Sequence, residues 1–455
     1  MAGTRRGRVV LPQYVVIRSS WYLGLLLVAL MAGVKLSHQV PTTTDVGVSD
    51  NVPQDDFAAW LQEMAETSDS DDDDETTPGA ADTGSDDIPN LTAGEGGEKR
   101  GKDDDDKKDK HHSSSSSSGK GSSSSSKAPK ENYDSIGVKP PPTGTPKKIT
   151  VGKDGKGDFK TINEALNSIK PGATYRTIIK IKAGVYEEKV TINSTQPYIT
   201  FLGEGMNETI ITWNDTAGDF DDADVLLKTY RSATVGISSE WFIAKGVQFR
   251  NSAPQPAPGA ILKQAVAMRI SADRAAFYNC SFYGFQDTLY DHNGRHYFES
   301  SLIVGSIDFI FGNGRSLYRG CHLLEVADSF GSLSAQKRNE SRMHTGFSFL
   351  DCRVDGQGLQ IYLGRAWGNF SRTVYSYTYM NDIIYPGGWS DFGFPQRDHQ
   401  VFFGQYKCYG PGANTSQRVP WAMNLTPTQA KPFLSVNFIN GKSWLTSYIK
   451  KPKFT

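Results

Sequence analysis

The pattern of apolar and polar residues divides the chain near residue 147. Before that point there is one long apolar run, Trp21–Val34; after it, short β-prone runs alternate with turn residues. Thr161–Ile169 differs from these β-prone runs. Its apolar positions follow helical spacing, and Thr161 with Glu164 matches a capping box. This pattern predicts a short helix at the start of the second half. The β-rich runs that follow it are Thr177–Ile181, Tyr198–Leu202, Thr209–Thr212, Phe242–Phe249, Ala275–Phe282, Ser316–Leu324 and Phe347–Val354.

Short strands on this scale are compatible with a sandwich, a barrel or a solenoid. Several runs repeat one order: an aromatic or aliphatic pair, a turn-prone residue, then a small residue or cysteine. Cys280, Cys321 and Cys352 hold equivalent places, at spacings of 41 and 31 residues, and would stack in neighbouring coils of about 20–30 residues plus insertions. The repetition favours an all-β parallel β-helix, a solenoid, over chance similarity among short runs.

Composition and charge show that the two halves differ in kind. The 455 residues contain four cysteines, too few for a disulfide-dense miniprotein, and a single long apolar run excludes a polytopic membrane protein. Residues 1–145 hold 15 basic and 24 acidic side chains, whereas the remainder holds 34 and 26. The second half therefore has a net charge of +8, which suits a polyanionic partner.

The first half combines a targeting segment with a linker. Four arginines precede Trp21–Val34, an order typical of a secretory signal, and the run is shorter than the ~20 residues of a comfortable membrane span. We predict a signal peptide or an uncleaved signal anchor over residues 1–37. The acidic runs Asp71–Glu75 and Asp103–Asp106 and the serine tracts of 113–126 predict a disordered linker over 38–145. Residues 146–455 then form the remaining domain.

Carboxylate and amide side chains recur at coil-like spacing. Gln286 follows Gln264 by 22 residues, and Asp308 follows Asp287 by 21. Adjacent coils would place these four side chains on one face. Two neighbouring carboxyl groups can differ in pKa, so that one attacks a carbonyl as nucleophile and the other gives a proton to the leaving group. Two glutamine amides can donate hydrogen bonds to an oxyanion.

Arg365 and Trp367 complete the candidate site. Asp308 lies between Ile307 and Phe309, and these apolar neighbours would destabilise its charge. Arg365 can pair with Asp308 and keep it ionised, and Trp367 offers a flat face to a sugar ring. Each aspartate taken alone is as easily a turn or cap residue; the joint arrangement indicates a catalytic site.

The second half resembles the plant pectin methylesterase (pectinesterase) family over about residues 146–450. The matching segments occur in the family's order: Gly184–Glu188, Gln264–Ala267, Gln286–Leu289, Asp308–Gly312 and Leu363–Trp367. The resemblance implies a right-handed parallel β-helix. It also implies hydrolysis of galacturonate methyl esters in pectin (homogalacturonan) to methanol and free carboxylates, with no metal or organic cofactor.

The resemblance further assigns a role to each site residue. Asp308 is the nucleophile that forms an acyl-enzyme, Asp287 is the proton donor and later the base, and Gln286 stabilises the transition state. The substrate-binding residues it implies are Thr234, Gln264, Arg365 and Trp367.

Some features depart from the family. Ser301 stands where many members have the cysteine that pairs with the equivalent of Cys280, so that bridge cannot form. Ala366 replaces a common proline, and Phe285 a frequent tyrosine. Cys280 is the first cysteine of the chain, so we do not expect the N-terminal inhibitor-like region with four cysteines that the resemblance associates with longer members.

Partners and location follow from the same resemblance. We expect pectin as the substrate, a proteinaceous pectinesterase inhibitor as a possible partner, no nucleic acid, and a monomer. The protein is expected to be secreted to the cell wall, or held in the secretory pathway by an uncleaved anchor. Secretion agrees with glycosylation sequons at Asn193, Asn207, Asn214, Asn339, Asn369, Asn414 and Asn424.

Other activities are open at this point. The chain has no Gly-x-Ser-x-Gly and no His-Glu-x-x-His motif, which disfavours a serine hydrolase and a zinc hydrolase. A polysaccharide lyase on the same fold would be expected to need calcium and to yield unsaturated products. A pectin-binding wall protein without activity is a further alternative.

Overall fold

A computed structural model describes residues 141–445 as a coil of short parallel strands. The predicted signal segment and linker lie outside the described residues. Each coil passes through three sheets, which we name A, B and C, always in the order C, A, B. Successive coils pair in parallel within each sheet. The predicted parallel β-helix is confirmed.

Sheet A contains eleven strands: β1 (Lys147–Val151), β2 (Thr177–Ile181), β5 (Ile199–Gly203), β8 (Ile243–Lys245), β11 (Ala275–Tyr278), β14 (Arg295–Glu299), β17 (Arg315–Arg319), β21 (Gly346–Leu350), β25 (Arg372–Ser376), β28 (Phe402–Tyr406) and β29 (Met423–Asn424). Sheet B contains eight: β3 (Gly184–Glu187), β6 (Thr209–Trp213), β9 (Gln248–Asn251), β12 (Ser281–Tyr283), β15 (Leu302–Gly305), β18 (His322–Val326), β22 (Arg353–Gln357) and β26 (Tyr379–Met380).

Sheet C also contains eight strands: β4 (Val190–Ile192), β7 (Val235–Ile237), β10 (Met268–Ile270), β13 (Leu289–Asp291), β16 (Ile310–Gly312), β20 (Ser334–Gln336), β24 (Gly364–Ala366) and β27 (Trp389–Ser390). A separate pair is formed by β19 (Phe330–Ser332) and β23 (Gln360–Tyr362). The helices are short: α1 (Ile162–Asn167), α2 (Lys228–Arg231), α3 (Pro427–Ala430) and 3₁₀ turns at Pro395–Arg397, Pro411–Ala413, Lys431–Phe433, Val436–Ile439 and Gly441–Ser443.

The predicted helix is α1, and its capping box is present. The side chain of Thr161 accepts from the Glu164 amide, and Glu164 accepts from the Thr161 amide. A second carboxylate, Glu188, accepts from the amides of Ile162 and Asn163 at 2.9 and 3.0 Å. Both carboxylates therefore satisfy amides at the positive end of the helix.

Aromatic rings stack inside the coil along sheet A. Phe277, Phe298, Tyr318, Phe349 and Tyr375 occupy successive coils and are fully buried, with neighbouring ring centres 4.5–4.8 Å apart. The stack follows from register, because parallel pairing places the same inward position of each coil above that of the preceding coil. This column forms the centre of the hydrophobic core.

Four of the β-rich runs predicted from the sequence are divided by a corner between sheets A and B. Gly246, Asn279, Gly320 and Asp351 sit at these corners with positive φ, so each run forms two strands in different sheets. The residue after each corner points inward, which gives a column along the coil. Its members are Val247, Cys280, Ser301, Cys321, Cys352, Thr378 and Cys408.

The three cysteines predicted to stack do belong to that column, and Ser301 stands between Cys280 and Cys321. Ser301 accepts a hydrogen bond from the Cys280 amide at 3.2 Å. Cys280, Cys321 and Cys352 are buried and carry free thiols. Within residues 141–445, no helix is long and apolar enough to cross a membrane.

Removing one ring of the aromatic stack should destabilise the fold. Phe298→Ala leaves a cavity between Phe277 and Tyr318 and should lower the free energy of unfolding by about 3–5 kcal/mol, measured by denaturant titration. Phe220→Ala is the matched control, because Phe220 is 60% exposed; its change should stay within about 0.5 kcal/mol. Equal losses for both variants would contradict the proposed contribution of the stack.

Candidate active site

The two aspartates expected to do chemistry precede neighbouring strands of sheet C. Asp287 leads into β13 and Asp308 into β16, and the Asp287 amide donates to the carbonyl of Ile307 at 3.0 Å. One coil earlier, the Ala265 amide donates to the carbonyl of Gln286 at 3.1 Å. Backbone pairing therefore brings the segments of Gln264, Gln286–Asp287 and Asp308 together in three consecutive coils, as the spacing predicted.

Both aspartates adopt a backbone conformation that is unusual for residues other than glycine. φ is 66° at Asp287 and 49° at Asp308. Aspartate tolerates the left-handed region better than most residues, yet each such position costs about 1 kcal/mol or more. The strands on either side hold the backbone in this conformation. Because both aspartates adopt it, their carboxyl groups lie on the same face.

The two carboxyl groups differ sharply in environment. Asp308 forms a bidentate ion pair with Arg365: Nε donates to Oδ1 at 2.8 Å, and Nη2 donates to Oδ2. Asp287 has no such partner among residues 141–445. Burial, and then the negative charge of Asp308, raise the pKa of Asp287 well above its usual range, against a smaller opposing effect of Arg365. The neutral form of Asp287 is thus favoured beside a carboxyl group that contacts a guanidinium.

A cleft opens over these groups. Six of the seven predicted site residues line it, and five further side chains complete the wall. The lining is Thr229, Gln264, Gln286, Asp287, Tyr290, Asp308, Phe311, Ala335, Arg365, Trp367 and Phe392. The side-chain oxygen Oε1 of Gln264 is buried and has no hydrogen-bond partner among residues 141–445, which leaves it available to a bound molecule.

Thr234 is the exception among the predicted site residues. Its side chain is fully buried, and its hydroxyl donates to the carbonyl of Arg250 at 2.9 Å. Thr234 is not among the residues that line the cleft, and its expected contact with the substrate stays a prediction. Thr229, five residues earlier, lines the cleft instead.

Aromatic residues of the cleft were missed from the sequence. Tyr290 stacks on Phe311 with ring centres 4.2 Å apart, and Trp367 tilts against Phe311 at 5.9 Å. Tyr290 and Phe311 each follow a site aspartate by three residues and are register partners, so this offset could have identified them. Phe392 lies 4.3 Å from the guanidinium of Arg365, but it comes from a distant loop without a recognisable pattern.

Comparisons with known proteins agree on one family. The family model described as Pectinesterase matches residues 148–442. Pectinesterase QRT1 of Arabidopsis thaliana is 45% identical over 299 residues, covering 65% of this chain and 78% of the relative. Probable pectinesterase 50 of the same plant is 42% identical over 306 residues, covering 67% of this chain and 82% of the relative.

Solved structures show the same likeness. Pectin methylesterase from carrot matches with a TM-score of 0.61 and 33% identity, covering 67% of this chain and 96% of that structure. A pectin methylesterase in complex with a hexasaccharide matches with a TM-score of 0.56 and 29% identity, covering 64% and 96%.

A third carboxyl group, Glu325 of β18, is buried close to the site. It is fully buried; Oε1 accepts from the Ala327 amide at 3.0 Å, and Oε2 has no partner among the described residues. Gly331 leaves the room for it: a Cβ there would lie 2.7 Å from Oε2 and 2.6 Å from the carbonyl oxygen of Ser306. Burial above all, with a further contribution from the charge of Asp308, raises the pKa of Glu325 to about 9.

This buried acid should make stability depend on pH. Between the unfolded pKa of 4.5 and the folded pKa of about 9, the folded protein holds a proton that the unfolded chain has lost. Stability therefore falls as pH rises through this window. Glu325→Gln removes this titration. The free energy of unfolding of the variant, relative to that of the wild type, should therefore rise by at least about 1 kcal/mol from pH 5 to pH 8.

The measurement is chemical denaturation at several pH values. Glu208→Gln, which changes an exposed glutamate, is the control and should show a constant difference from the wild type. A Glu325→Gln difference that does not vary with pH would mean that this carboxyl group is ionised in the folded protein.

Proposed function

The chain belongs to the pectinesterase family, and on that premise we propose that it hydrolyses the methyl esters of galacturonate in pectin at the cleft of Asp287 and Asp308. One observation carries the assignment of roles. Asp308 faces the guanidinium of Arg365 in a bidentate contact, while burial and the neighbouring charge raise the pKa of Asp287. Adjacent carboxyl groups with separated protonation states supply a nucleophile and an acid.

In the first half-reaction, a carboxylate oxygen of Asp308 attacks the ester carbonyl carbon. The carbonyl oxygen becomes an oxyanion, to which the amide N–H groups of Gln286 and Gln264 would donate hydrogen bonds. As the tetrahedral intermediate collapses, the bond to the methoxy oxygen breaks and Asp287 gives that oxygen its proton. Methanol leaves, and an anhydride joins Asp308 to the galacturonate.

In the second half-reaction, the groups act in reverse. Asp287, now a carboxylate, takes a proton from a water molecule, and the resulting oxygen attacks the galacturonyl carbonyl of the anhydride. The bond to Asp308 breaks, which releases the galacturonic acid group and restores both aspartates, and the released acid then loses its proton to water and becomes a free carboxylate. Arg365 remains paired with the leaving carboxylate of Asp308 and favours this step.

The aromatic wall supplies the binding surface. Tyr290, Phe311 and Trp367 form a continuous face beside the two carboxyl groups. Flat rings of this kind pack against the apolar face of a pyranose, and the methyl ester removes the charge that would oppose such contact. The side-chain oxygen Oε1 of Gln264, which is buried without a hydrogen-bond partner among the described residues, would accept from a sugar hydroxyl.

The site of action is outside the cell, because pectin is a component of the plant cell wall. We infer secretion by way of the segment of residues 1–37, as a cleaved signal or an anchor. All seven sequon asparagines between 193 and 424 are exposed, which supports glycosylation on that route. A proteinaceous inhibitor, a monomeric state and independence of metals and organic cofactors stay predictions.

Asp308→Asn tests the nucleophile. Methanol release from highly methylesterified pectin by the full chain should fall by at least about 1,000-fold, while circular dichroism and the unfolding midpoint stay unchanged. Asp328→Asn is the matched control, because Asp328 is exposed in a neighbouring loop, and it should release methanol at the wild-type rate.

Each contrary result has a definite meaning. A folded Asp308→Asn chain with wild-type activity would remove this residue as nucleophile. Unsaturated, ultraviolet-absorbing products without methanol from the wild type would indicate a lyase. Pectin binding without either product would indicate a binding protein.

Asp287→Asn tests the proton donor independently of the nucleophile. Asparagine cannot protonate methoxide, so methanol release should fall by about 100-fold or more. A trifluoroethyl ester of the same polymer needs little protonation of its leaving group. With this substrate Asp287→Asn should release a burst of about one equivalent of trifluoroethanol and then stall, because the acyl-enzyme lacks its base. Steady turnover of both esters by Asp287→Asn would contradict the assigned role.

A further inference from the structure

The loop that follows β27 brings one aromatic ring into the active-site cleft. This loop covers residues 391–401 and joins β27 to β28, and its second residue, Phe392, lines the cleft beside Arg365. The backbone of Phe392 has φ of 65°, and that of the next residue, Gly393, has φ of 77°. Glycine adopts this conformation without strain, but for a bulky side chain such as phenylalanine it is a true outlier. The ester hydrolysis described above assigns no role to this strained residue.

The loop is fastened on both sides of Phe392 to the strand that carries Arg365. Ser390, the last residue of β27, is the register partner of Arg365, and its Oγ accepts from the Phe392 amide at 3.2 Å. Further along the loop, the guanidinium of Arg397 donates to the carbonyl of Ala366, the neighbour of Arg365. A strained backbone persists only where the surrounding structure holds it in place. These contacts do so, and they fix the ring of Phe392 relative to Arg365.

The guanidinium of Arg365 makes two kinds of contact. Its Nε and Nη2 donate to the two carboxylate oxygens of Asp308. Its carbon lies over the ring of Phe392, 4.3 Å from the ring centre, and 5.7 Å from the ring centre of Phe330 in β19. A cation is attracted to the face of an aromatic ring, and this attraction leaves in place the N–H groups that bind the carboxylate. The ring contact therefore adds to the ion pair without competing for its hydrogen bonds.

The ion pair lies in a largely buried setting. The side chain of Arg365 is 20% exposed and that of Asp308 is 11% exposed. The other titratable groups that act on the pair are Asp287, Tyr362 and Glu325. Burial lowers the pKa of Arg365, but the charge and hydrogen bonds of Asp308 outweigh this effect, so that the pKa is raised. Arg365 therefore stays charged at every pH at which the reaction is measured, and what can vary is the position of its guanidinium.

We propose that Phe392 is a positioning residue of the hydrolysis, whose ring holds the guanidinium of Arg365 against the nucleophile, Asp308. The inference rests on the proposed function. Arg365 favours the ionised nucleophile in the first half-reaction and its departure in the second, so both steps depend on where the guanidinium lies. The positive φ of Phe392 turns the chain back directly after β27 and directs the ring to Arg365, which gives the backbone strain a purpose.

Phe392→Leu tests the role of the ring, because leucine is apolar but cannot attract a cation in this way. Methanol release from highly methylesterified pectin is measured with the full chain between about pH 4 and pH 8. A guanidinium that is no longer held favours the protonated form of Asp308. The midpoint of the acidic limb of kcat/KM should therefore move up by about 0.4–1.5 pH units. Above that limb, kcat should fall by about 2- to 30-fold.

Two further variants distinguish the ring of Phe392 from the loop as a whole. Phe392→Tyr keeps the ring and should retain the wild-type pH profile. Phe394→Leu is the matched control: the ring centre of Phe394 lies 4.0 Å from the guanidinium carbon of Arg397 in the same loop, and Phe394 is not among the residues that line the cleft. This variant should leave kcat and the acidic limb unchanged. Circular dichroism checks that all three variants are folded.

Contact with the substrate alone would give a different result. If Phe392 only formed part of the cleft wall, Phe392→Leu would raise KM and leave kcat and the acidic limb in place, and this outcome would overturn the proposal. An equal shift of the limb in Phe394→Leu would overturn it as well, because the loss of any ring in the loop would then be sufficient. So would a shifted limb in Phe392→Tyr, which retains the ring.

Hydrogen exchange at Arg365 tests the same contact without substrate. The Nε–H of Arg365, which donates to Oδ1 of Asp308 at 2.8 Å, is followed by nitrogen-15 NMR of the full chain and assigned by its absence in Arg365→Lys. Its exchange with solvent should be about 2- to 30-fold faster in Phe392→Leu than in the wild type, and unchanged in Phe394→Leu. Equal rates in the wild type and Phe392→Leu would overturn the proposal. Absence of methanol release from the wild type would instead overturn the proposed function, so the two failures are distinguishable.

Discussion

Register between coils is the constraint on which the rest of this structure depends. Parallel pairing fixes each residue above a defined residue of the preceding coil, so inward positions form columns rather than isolated contacts. The stacked rings from Phe277 to Tyr375 are one such column. The corner column that contains Cys280 and Cys321 is another. Columns make the core continuous, and they also bring like residues together whether or not their chemistry favours contact.

The same constraint creates the electrostatic problem that the active site resolves. Neighbouring coils place Asp287 and Asp308 side by side, where two negative charges would repel each other strongly in a buried setting. The structure separates them by giving Arg365 to one and a proton to the other.

The sequence predicted those features that depend on spacing along one coil. The capping box of Thr161 and the aspartates 21 residues apart were found in this way, because β13 and β16 are joined without a long insertion. Sequence reasoning failed where insertions intervene or where a turn is hidden inside an apolar run. Phe392 reaches the site from a loop 84 residues after Asp308, and spatial neighbours separated by loops of variable length cannot be counted along a sequence.

The corners between sheets A and B can nevertheless be recognised from the type of residue that occupies them. Gly246, Asn279, Gly320 and Asp351 are glycine, asparagine or aspartate, the residues that tolerate positive φ most readily. Other properties of a site residue leave no trace in the sequence. The hydroxyl of Thr234 donates to the backbone carbonyl of Arg250, and the sequence does not show which polar side chains the fold pairs internally.

Charge distinguishes the substrate of this cleft from its product. The wall of Tyr290, Phe311 and Trp367 carries no charge and suits a neutral ester. Hydrolysis converts that ester into an anion beside the carboxyl groups of Asp287 and Asp308. A polymer residue therefore loses affinity for the aromatic wall at the moment it reacts. That loss favours release of the product and leaves the two aspartates free for the next ester.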